Sequence, residues 1–189
     1  MLSRDVVVAF KPQAKISALA LSPDGRVTVW SEVNGLVSIS HKSIDITGQD
    51  LLFWKSEGKV TGLIVSNENI FILDEFHGLS CLDLSGELVW KSEIKSGGFS
   101  LVKLEDRFAV IDSLGRLHYV LMNGEVIELG DLHSSVIKIE RFGDKLITAH
   151  ENGEVRVVLD GQTIWQRPSR GEMGESITAI GSTKDGNLI

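Results

Sequence analysis

Two sets of glycine-containing turns recur along this 189-residue chain, and within each set the glycines lie 37 to 43 residues apart. A period in this range is typical of propellers, solenoids and other arrays, in which each repeat packs on its neighbours. The first set is Gly35, Gly78, Gly115 and Gly153, and the second is Gly48, Gly86, Gly124 and Gly161. The chain is therefore expected to repeat one small structural unit.

Each repeat contains short runs rich in Val, Ile, Leu and Trp, separated by pairs such as Asn-Gly and Asp-Gly. Such runs predict strands joined by tight hairpins, and Asn-Gly or Asp-Gly favours type I′ turns with two positive φ angles. The second repeat predicts strands at 60–66, 70–74, 79–84 and 87–91. The predicted fold class is all-β: a β-propeller or part-propeller of about four to five four-stranded antiparallel blades.

The spacing of the repeats predicts a single propeller-type domain over residues 1–189. We expect residues 5–15 to supply the fourth strand of an incomplete blade and residues 177–189 to begin a fifth, truncated blade. The four complete blades are predicted at 16–58, 59–97, 98–135 and 136–176. Either a second copy of the chain or further C-terminal blades would complete such a ring, and the sequence leaves both alternatives open.

Composition narrows the classes of partner. A formal net charge of -7 argues against nucleic acid, whose phosphates attract clustered Lys and Arg. No stretch approaches the roughly 20 apolar residues of a membrane helix, so no membrane association is expected. Cys81 is the only cysteine. It excludes an internal disulfide, fits a cytoplasmic location and is expected to be a small buried apolar residue.

Two segments resemble known propeller repeats. Residues 70–91 resemble the quinoprotein (PQQ)-like repeat, in which a hairpin glycine leads through an apolar-x-Asp strand and a Gly turn to a closing Trp90. Residues 16–30 are similar to the first hairpin of WD40-type repeats. These resemblances imply propeller architecture. They do not transfer the quinone and calcium chemistry of quinoprotein dehydrogenases, because likeness of fold does not carry activity and the vicinal cysteine pair of many members is missing. The third blade departs from the repeat, with Glu128 where the tryptophan would stand.

Three tryptophans recur with the repeat, at Trp54, Trp90 and Trp165. A large aromatic residue that repeats with the blade is expected to dock one blade on the next rather than to bind a ligand. No nucleophile, phosphate-loop or dinucleotide motif occurs, and the histidines have no metal-ligand spacing. We therefore predict no catalytic residues, no cofactor and no metal site.

The sequence predicts a non-catalytic scaffold that binds a protein partner through its loop-bearing face. The longest polar connection, residues 166–176, joins one blade to the next and carries Arg167, Arg170 and Met173. His77 and His150 fall near the same hairpin in two blades, where we expect both to line one edge of the disc. The alternative is a quinoprotein-like ligand-binding or catalytic domain with a pocket on the ring axis.

Overall fold

The computed structural model describes residues 12–41, 51–132 and 135–168, and within these ranges every regular element is a strand. The strands form four sheets of four strands each. In chain order they are β1 (Ile16–Leu21), β2 (Val27–Glu32), β3 (Leu36–His41), β4 (Leu52–Lys55), β5 (Val60–Val65), β6 (Asn69–Asp74), β7 (Gly78–Asp83), β8 (Leu88–Glu93), β9 (Gly98–Lys103), β10 (Arg107–Asp112), β11 (Arg116–Leu121), β12 (Val126–Asp131), β13 (Val136–Phe142), β14 (Lys145–His150), β15 (Val155–Leu159) and β16 (Gln162–Arg167).

Each sheet is an antiparallel meander whose strands pair in sequence order. The first strands of successive sheets lie next to one another, β1 beside β5, β5 beside β9 and β9 beside β13. Sheets that stack side by side with their first strands together are consecutive blades of a β-propeller. The predicted all-β fold class is confirmed, with four blades in the described part of the chain.

Alternation along the strands gives every inner sheet two apolar faces. In β6, Ile70 and Ile72 pack in a core shared with the first sheet, whereas Phe71 and Leu73 pack in a core shared with the third sheet. Successive side chains of a strand point to opposite faces, so one strand serves both interfaces. The ring centroids of Phe71 and Phe108 lie 4.4 Å apart. The protein is thus held together by cores between sheets.

The type I′ prediction for the hairpins is wrong at all but one described turn. Both central residues have positive φ only at Asp160 (47°) and Gly161 (81°), and Asp160 is the one described non-glycine residue with positive φ. Elsewhere the pattern follows Asn34-Gly35, where the Gly35 amide donates to the Glu32 carbonyl at 2.9 Å. Asn34 Oδ1 instead accepts from the Leu36 amide at 3.0 Å. The side chain stabilises the turn, and glycine alone takes the left-handed conformation.

The four sheets span residues 16–55, 60–93, 98–131 and 136–167. The incomplete blade expected at 177–189 lies outside the described residues, as does most of the strand expected within 5–15. Among the described residues, no helix has the length and apolar character needed to cross a membrane.

Candidate protein-interaction rim

One end of the four sheets, which we call the rim, carries two kinds of connection. Turns join the second and third strands of each sheet, and loops lead from the fourth strand of one sheet to the next sheet. The turns are 33–35, 75–77, 113–115 and 151–154, and the loops are 56–59, 94–97 and the described residues of 132–135. The rim is the only end that both kinds of connection share, because each sheet is an up-and-down meander.

Backbone hydrogen bonds fasten the loops of the rim to its turns. In three sheets an amide at the end of the fourth strand donates to a carbonyl in the turn. In a second group, also found in three sheets, an amide of the turn donates to the carbonyl of the residue that precedes the first strand. The first group is Ser56 to Gly35, Ile94 to His77 and Leu132 to Gly115, and the second is Val33 to Lys15, Glu75 to Lys59 and Glu151 to Ser135. The repetition of these bonds makes the rim a fixed surface.

A buried carboxylate holds the rim together at the third sheet. Asp112 Oδ1 accepts from the amides of Leu114 and Arg116, both at 2.9 Å. Its Oδ2 accepts from Ser96 Oγ at 2.5 Å, Arg116 Nε at 2.8 Å and His118 Nε2 at 2.9 Å. Burial opposes ionisation, but the hydrogen bonds from Ser96, His118 and Arg116 outweigh it and hold the pKa of Asp112 well below its usual range.

Ser96, His118 and Asp112 are the residue types of a hydrolytic triad, but their arrangement differs from one. The Ser96 hydroxyl donates to Asp112 rather than to His118. His118 is buried, and its Nδ1 has no hydrogen-bond partner among the described residues. A serine nucleophile needs a base within hydrogen-bond reach of its hydroxyl. The cluster instead joins loop 94–97 to the turn at 113–115 by hydrogen bonds.

The other sheets also bury a polar side chain where the second strand ends, at Glu32, Asp74 and His150. Glu32 Oε1 accepts from the Gln13 amide at 2.9 Å. Asp74 Oδ1 accepts from the amides of Phe76 at 2.8 Å and His77 at 2.7 Å. His150 shares a hydrogen bond with the Thr148 hydroxyl at 2.8 Å. The last residue of each second strand is thus a buried polar residue that makes a hydrogen bond.

Apolar side chains are exposed at the tips of three of these turns. Val33 is 42%, Phe76 is 59% and Leu114 is 67% exposed. The turn of the fourth sheet carries Glu151 and Asn152 instead. Isolated exposed apolar residues are common on protein surfaces, but these three lie at the same edge of three successive sheets. The sequence analysis missed these residues, although an apolar residue inside a turn was a signal that could have found them.

The residues predicted to bind a partner fall in different environments. His77 is on the rim, with Nε2 2.7 Å from Glu57 Oε2. Lys91 Nζ lies 3.2 Å from the other oxygen of Glu57, and Lys91 together with His77 lowers the pKa of Glu57. His150 also lies at the rim end of its sheet, but it is completely buried, so its side chain is not accessible to a partner in this structure. His77 lies within the turn, directly before its glycine, and reaches the surface. His150 instead is the buried last residue of β14.

Arg167 is exposed and is the last residue of β16, paired with Val155. It therefore lies at the rim end of the fourth sheet. Arg170 and Met173 are outside the described residues. A partner-binding role for these three residues stays a prediction.

The recurrent tryptophans differ in their surroundings. Trp54 packs against the core between the first and second sheets, and Trp90 packs against the core between the second and third sheets. Trp165 is 46% exposed. Trp90 and Trp165 stand opposite Cys81 and Val157, which are matching positions of the third strands. Trp54 stands opposite Val37, two residues nearer the rim.

The third sheet fills its interface with the fourth by another aromatic residue. Tyr119, on the third strand, belongs to the core between these sheets, and Leu129 packs against that core. The guanidinium carbon of Arg107 lies 4.4 Å from the Tyr119 ring centroid. Glu128, which aligns with the tryptophan in the sequence repeat, lies 3.6 Å from Arg116 and pairs in the register of Lys91, whereas Ile127 stands opposite Tyr119 in the register of Trp90. In the third sheet the large aromatic residue of this interface therefore lies on the third strand instead of the fourth.

Cys81 is buried in the core between the second and third sheets, as predicted. Burial raises the pKa of its thiol to about 11, with a smaller contribution from Asp83. The thiol is therefore protonated at neutral pH and unreactive, because the thiolate is the nucleophilic form.

A cleft of about 450 Å³ opens at the end of the sheets opposite the rim. Its lining includes Asp24, Arg26, His41 and Asn67, which belong to the turn ends of the first two sheets. His41 Nε2 lies 2.9 Å from the Leu84 carbonyl oxygen. The inner first strands contribute no lining residue, so this cleft is not an axial pocket. Within the described ranges, no group of three or more His, Cys, Asp or Glu side chains is placed to hold a metal ion.

No protein-family model matches the sequence, and comparison with curated proteins gives no match. Solved structures do resemble the fold. The crystal structure of the computationally designed Ika4 protein is similar with a TM-score of 0.68 and 16% sequence identity, over 79% of this chain and 93% of that one. A structure of BBS1N in complex with ARL6DN is similar with a TM-score of 0.68 and 19% identity.

The match to BBS1N covers 92% of this chain and 59% of the BBS1N chain, so this chain spans just under three-fifths of that relative's length. At such identities the likeness concerns the fold alone. It agrees with the four antiparallel sheets described above and defines the molecule as part of a β-propeller.

Proposed function

We propose that this chain is a non-catalytic propeller scaffold that binds a protein partner through the rim. The observation that carries the proposal is the exposure of Val33, Phe76 and Leu114 on three neighbouring turns. Apolar anchors that fill pockets of a partner supply most of the binding energy in protein interfaces. The partner is a protein rather than a nucleic acid, since the chain has a net charge of -7.

The hydrogen bonds of the rim support this function by reducing the entropy lost on binding. Asp74 accepts from the amides of Phe76 and His77 in the turn that carries Phe76, and Asp112 accepts from the amide of Leu114 itself. A surface that is already ordered loses less conformational freedom when a partner docks. The similar BBS1N fold was solved in complex with ARL6DN, so a protein partner is compatible with this architecture.

The test compares two surface variants with the unmodified chain. We expect Phe76→Ser combined with Leu114→Ser to lose partners captured by cross-linking in an extract of the source cells, with each candidate then measured as a purified protein. The matched control is Leu88→Ser, because Leu88 is 53% exposed on β8 but lies outside the rim. Equal binding of a purified partner by all three proteins would contradict the proposal.

A second variant examines the predicted connection at residues 166–176. Arg167→Ala, Arg170→Ala and Met173→Ala together are expected to weaken the same partner. If only this variant loses the partner, the interaction surface is the connection and the apolar tips are not part of it.

A further inference from the structure

Aspartate or asparagine followed by glycine is a dipeptide in which a protein chain can modify itself. The glycine nitrogen can attack the carbonyl carbon of the preceding side chain, because glycine has no side chain to obstruct the approach. The product is a cyclic imide, which water reopens to aspartate or isoaspartate. Five such pairs lie in the described part of the chain, at Asp24-Gly25, Asn34-Gly35, Asn123-Gly124, Asn152-Gly153 and Asp160-Gly161.

Four of these five pairs are held by the same two hydrogen bonds. In the turns that contain Gly25, Gly35, Gly124 and Gly153, the glycine amide donates to the carbonyl three residues earlier, at 2.8 to 3.0 Å. The Oδ1 atom of the preceding Asp or Asn accepts from the amide two residues later, at 3.0 to 3.1 Å. The two reacting groups of each pair are therefore both engaged elsewhere.

These two bonds oppose closure of the imide ring. The glycine nitrogen must lose the proton that it donates, and the side-chain carbonyl carbon must rotate toward that nitrogen while Oδ1 is held by another amide. A reaction within a chain requires that the reacting atoms reach an attacking geometry. In the folded protein, the four pairs can therefore react only when their turns open locally.

The pair Asp160-Gly161 is held differently, because its turn is the type I′ turn described above. Leu159 and Gln162 form the last pair of the ladder, so both central residues lie outside it. The Gly161 amide has no hydrogen-bond partner among the described residues. Asp160 Oδ1 accepts from Arg107 Nη2 at 3.3 Å, and the Asp160 side chain is 65% exposed to water. Its nucleophile is free of the bond that holds the other four glycines.

We propose that Asp160 is a site of spontaneous isoaspartate formation in the folded protein, whereas the turns of the other four pairs protect them. The Gly161 nitrogen forms a bond to Asp160 Cγ, and one carboxyl oxygen leaves as water with the amide proton and a proton from solvent. Water then adds to the former backbone carbonyl of Asp160, whose bond to the Gly161 nitrogen breaks. The main chain afterwards runs through the Asp160 side chain, and no oxidant or reductant is needed.

The modification would change the outer hairpin of the fourth sheet. It adds one methylene group to the main chain of a two-residue turn and moves the carboxylate that contacts Arg107 of the third sheet. This hairpin joins the third and fourth strands, at the end of the sheet opposite the rim. The proposal therefore does not depend on partner binding by the rim.

The experiment uses the variant Asp160→Asn of the full chain, which makes position 160 chemically identical to the three Asn-Gly pairs. Asparagine is favoured in type I′ turns, so the variant is expected to fold, which circular dichroism checks. Peptide mass spectrometry after incubation at neutral pH measures deamidation at each pair. We expect position 160 to deamidate roughly tenfold or more faster than Asn34, Asn123 and Asn152, because a small cost of opening keeps their turns closed most of the time.

The same variant unfolded in urea is the first control. All four pairs should then deamidate at similar rates, because the turns that distinguish them are gone. Similar rates at the four pairs in the folded variant, or a faster loss at any of the three native pairs, would overturn the proposal.

The unmodified chain supplies the second control, because Asp24 is the same residue before glycine in a turn held by both bonds. Methylation by an isoaspartyl methyltransferase, with fragmentation of the labelled peptides, locates isoaspartate. We expect it at Asp160 and not at Asp24 in the folded chain, and at both residues in urea. Isoaspartate that forms at Asp160 only in urea would also overturn the proposal.

Discussion

Trp90 and Trp165 are the same residue in the same register, yet only one of them is enclosed by a neighbouring sheet. The Trp90 ring lies 6.1 Å from the Phe71 ring, and a Cβ added at Gly124 of the third sheet would be only 3.1 Å from it. Trp165 remains 46% exposed on the fourth sheet. A repeat in the sequence therefore sets which residue occupies a position, whereas the adjacent sheet sets how much that residue stabilises the fold.

The interface that encloses Trp90 also contains polar groups. Asp112 and His118 lie on the face of the third sheet that turns toward the second. Each is two residues along its strand from a residue of that core, Val110 or Val120, and residues two apart share a face. Ser92, at the end of the second sheet, donates to the Gly124 carbonyl at 2.5 Å. The enclosure of Trp90 therefore includes a hydrogen bond between the second and third sheets.

The largest expected effect is on stability when the two tryptophans are truncated. Trp90→Ala should reduce the free energy of unfolding by about 3 to 5 kcal/mol, because a cavity opens between two sheets. Trp165→Ala should change it by less than about 1 kcal/mol in dilute solution, since half of that side chain already contacts water. Urea unfolding followed by circular dichroism measures both. Equal losses would show that enclosure by the next sheet does not explain the role of Trp90.

A smaller effect is expected from the buried carboxylate. Asp112→Asn should destabilise the fold by about 2 to 3 kcal/mol at neutral pH, since an amide cannot accept all the bonds made to Asp112. The folded pKa is lowered, so the stabilisation by Asp112 is complete above its unfolded pKa of about 3.9 and is lost as pH falls through the folded pKa. Unfolding curves of the two proteins should therefore converge in acid. If the free energies of unfolding of the two proteins had parallel pH profiles, this role of Asp112 would be contradicted.

The smallest effect separates two serines in the same short motif. Ser56 and Ser92 both follow Trp-Lys and are both buried, but Ser56 Oγ has no hydrogen-bond partner among the described residues. Ser92→Ala should cost about 1 kcal/mol through loss of the bond to Gly124, whereas Ser56→Ala should be neutral or slightly stabilising. Thermal unfolding of both variants measures the difference. A larger loss at Ser56 than at Ser92 would reverse the comparison.

The strands and their order were predictable because they depend on local patterns. Alternation around Asn-Gly and Asp-Gly predicted four strands in each blade, and the strand expected at 70–74 is observed at Asn69–Asp74. The turn geometry was not predictable from the dipeptides alone. Asn34 and its counterparts stabilise the turn through side-chain acceptors, which removes the need for positive φ at that residue.

The candidate site was less accessible to sequence reasoning. His77 and His150 look alike in the repeat, but one faces solvent beside Glu57 and the other is enclosed beside Thr148. Tyr119 fills the interface from a different strand, and spacing along the sequence aligns Glu128 with Trp90, although Ile127 is the residue that pairs in the register of Trp90. Burial between sheets depends on contacts far apart in the chain, and the spacing of glycines does not contain that information.

The most direct test of this account is the solvent exposure of the two tryptophans in one sample of the full chain. Fluorotryptophan labelling gives one ¹⁹F resonance for each tryptophan, and single Trp→Phe variants assign them. A soluble nitroxide should broaden the Trp165 resonance in dilute solution and leave the Trp90 resonance sharp. Equal broadening of both resonances, or a Trp165 resonance that is protected even at the lowest concentration, would contradict the claim that a neighbouring sheet distinguishes them.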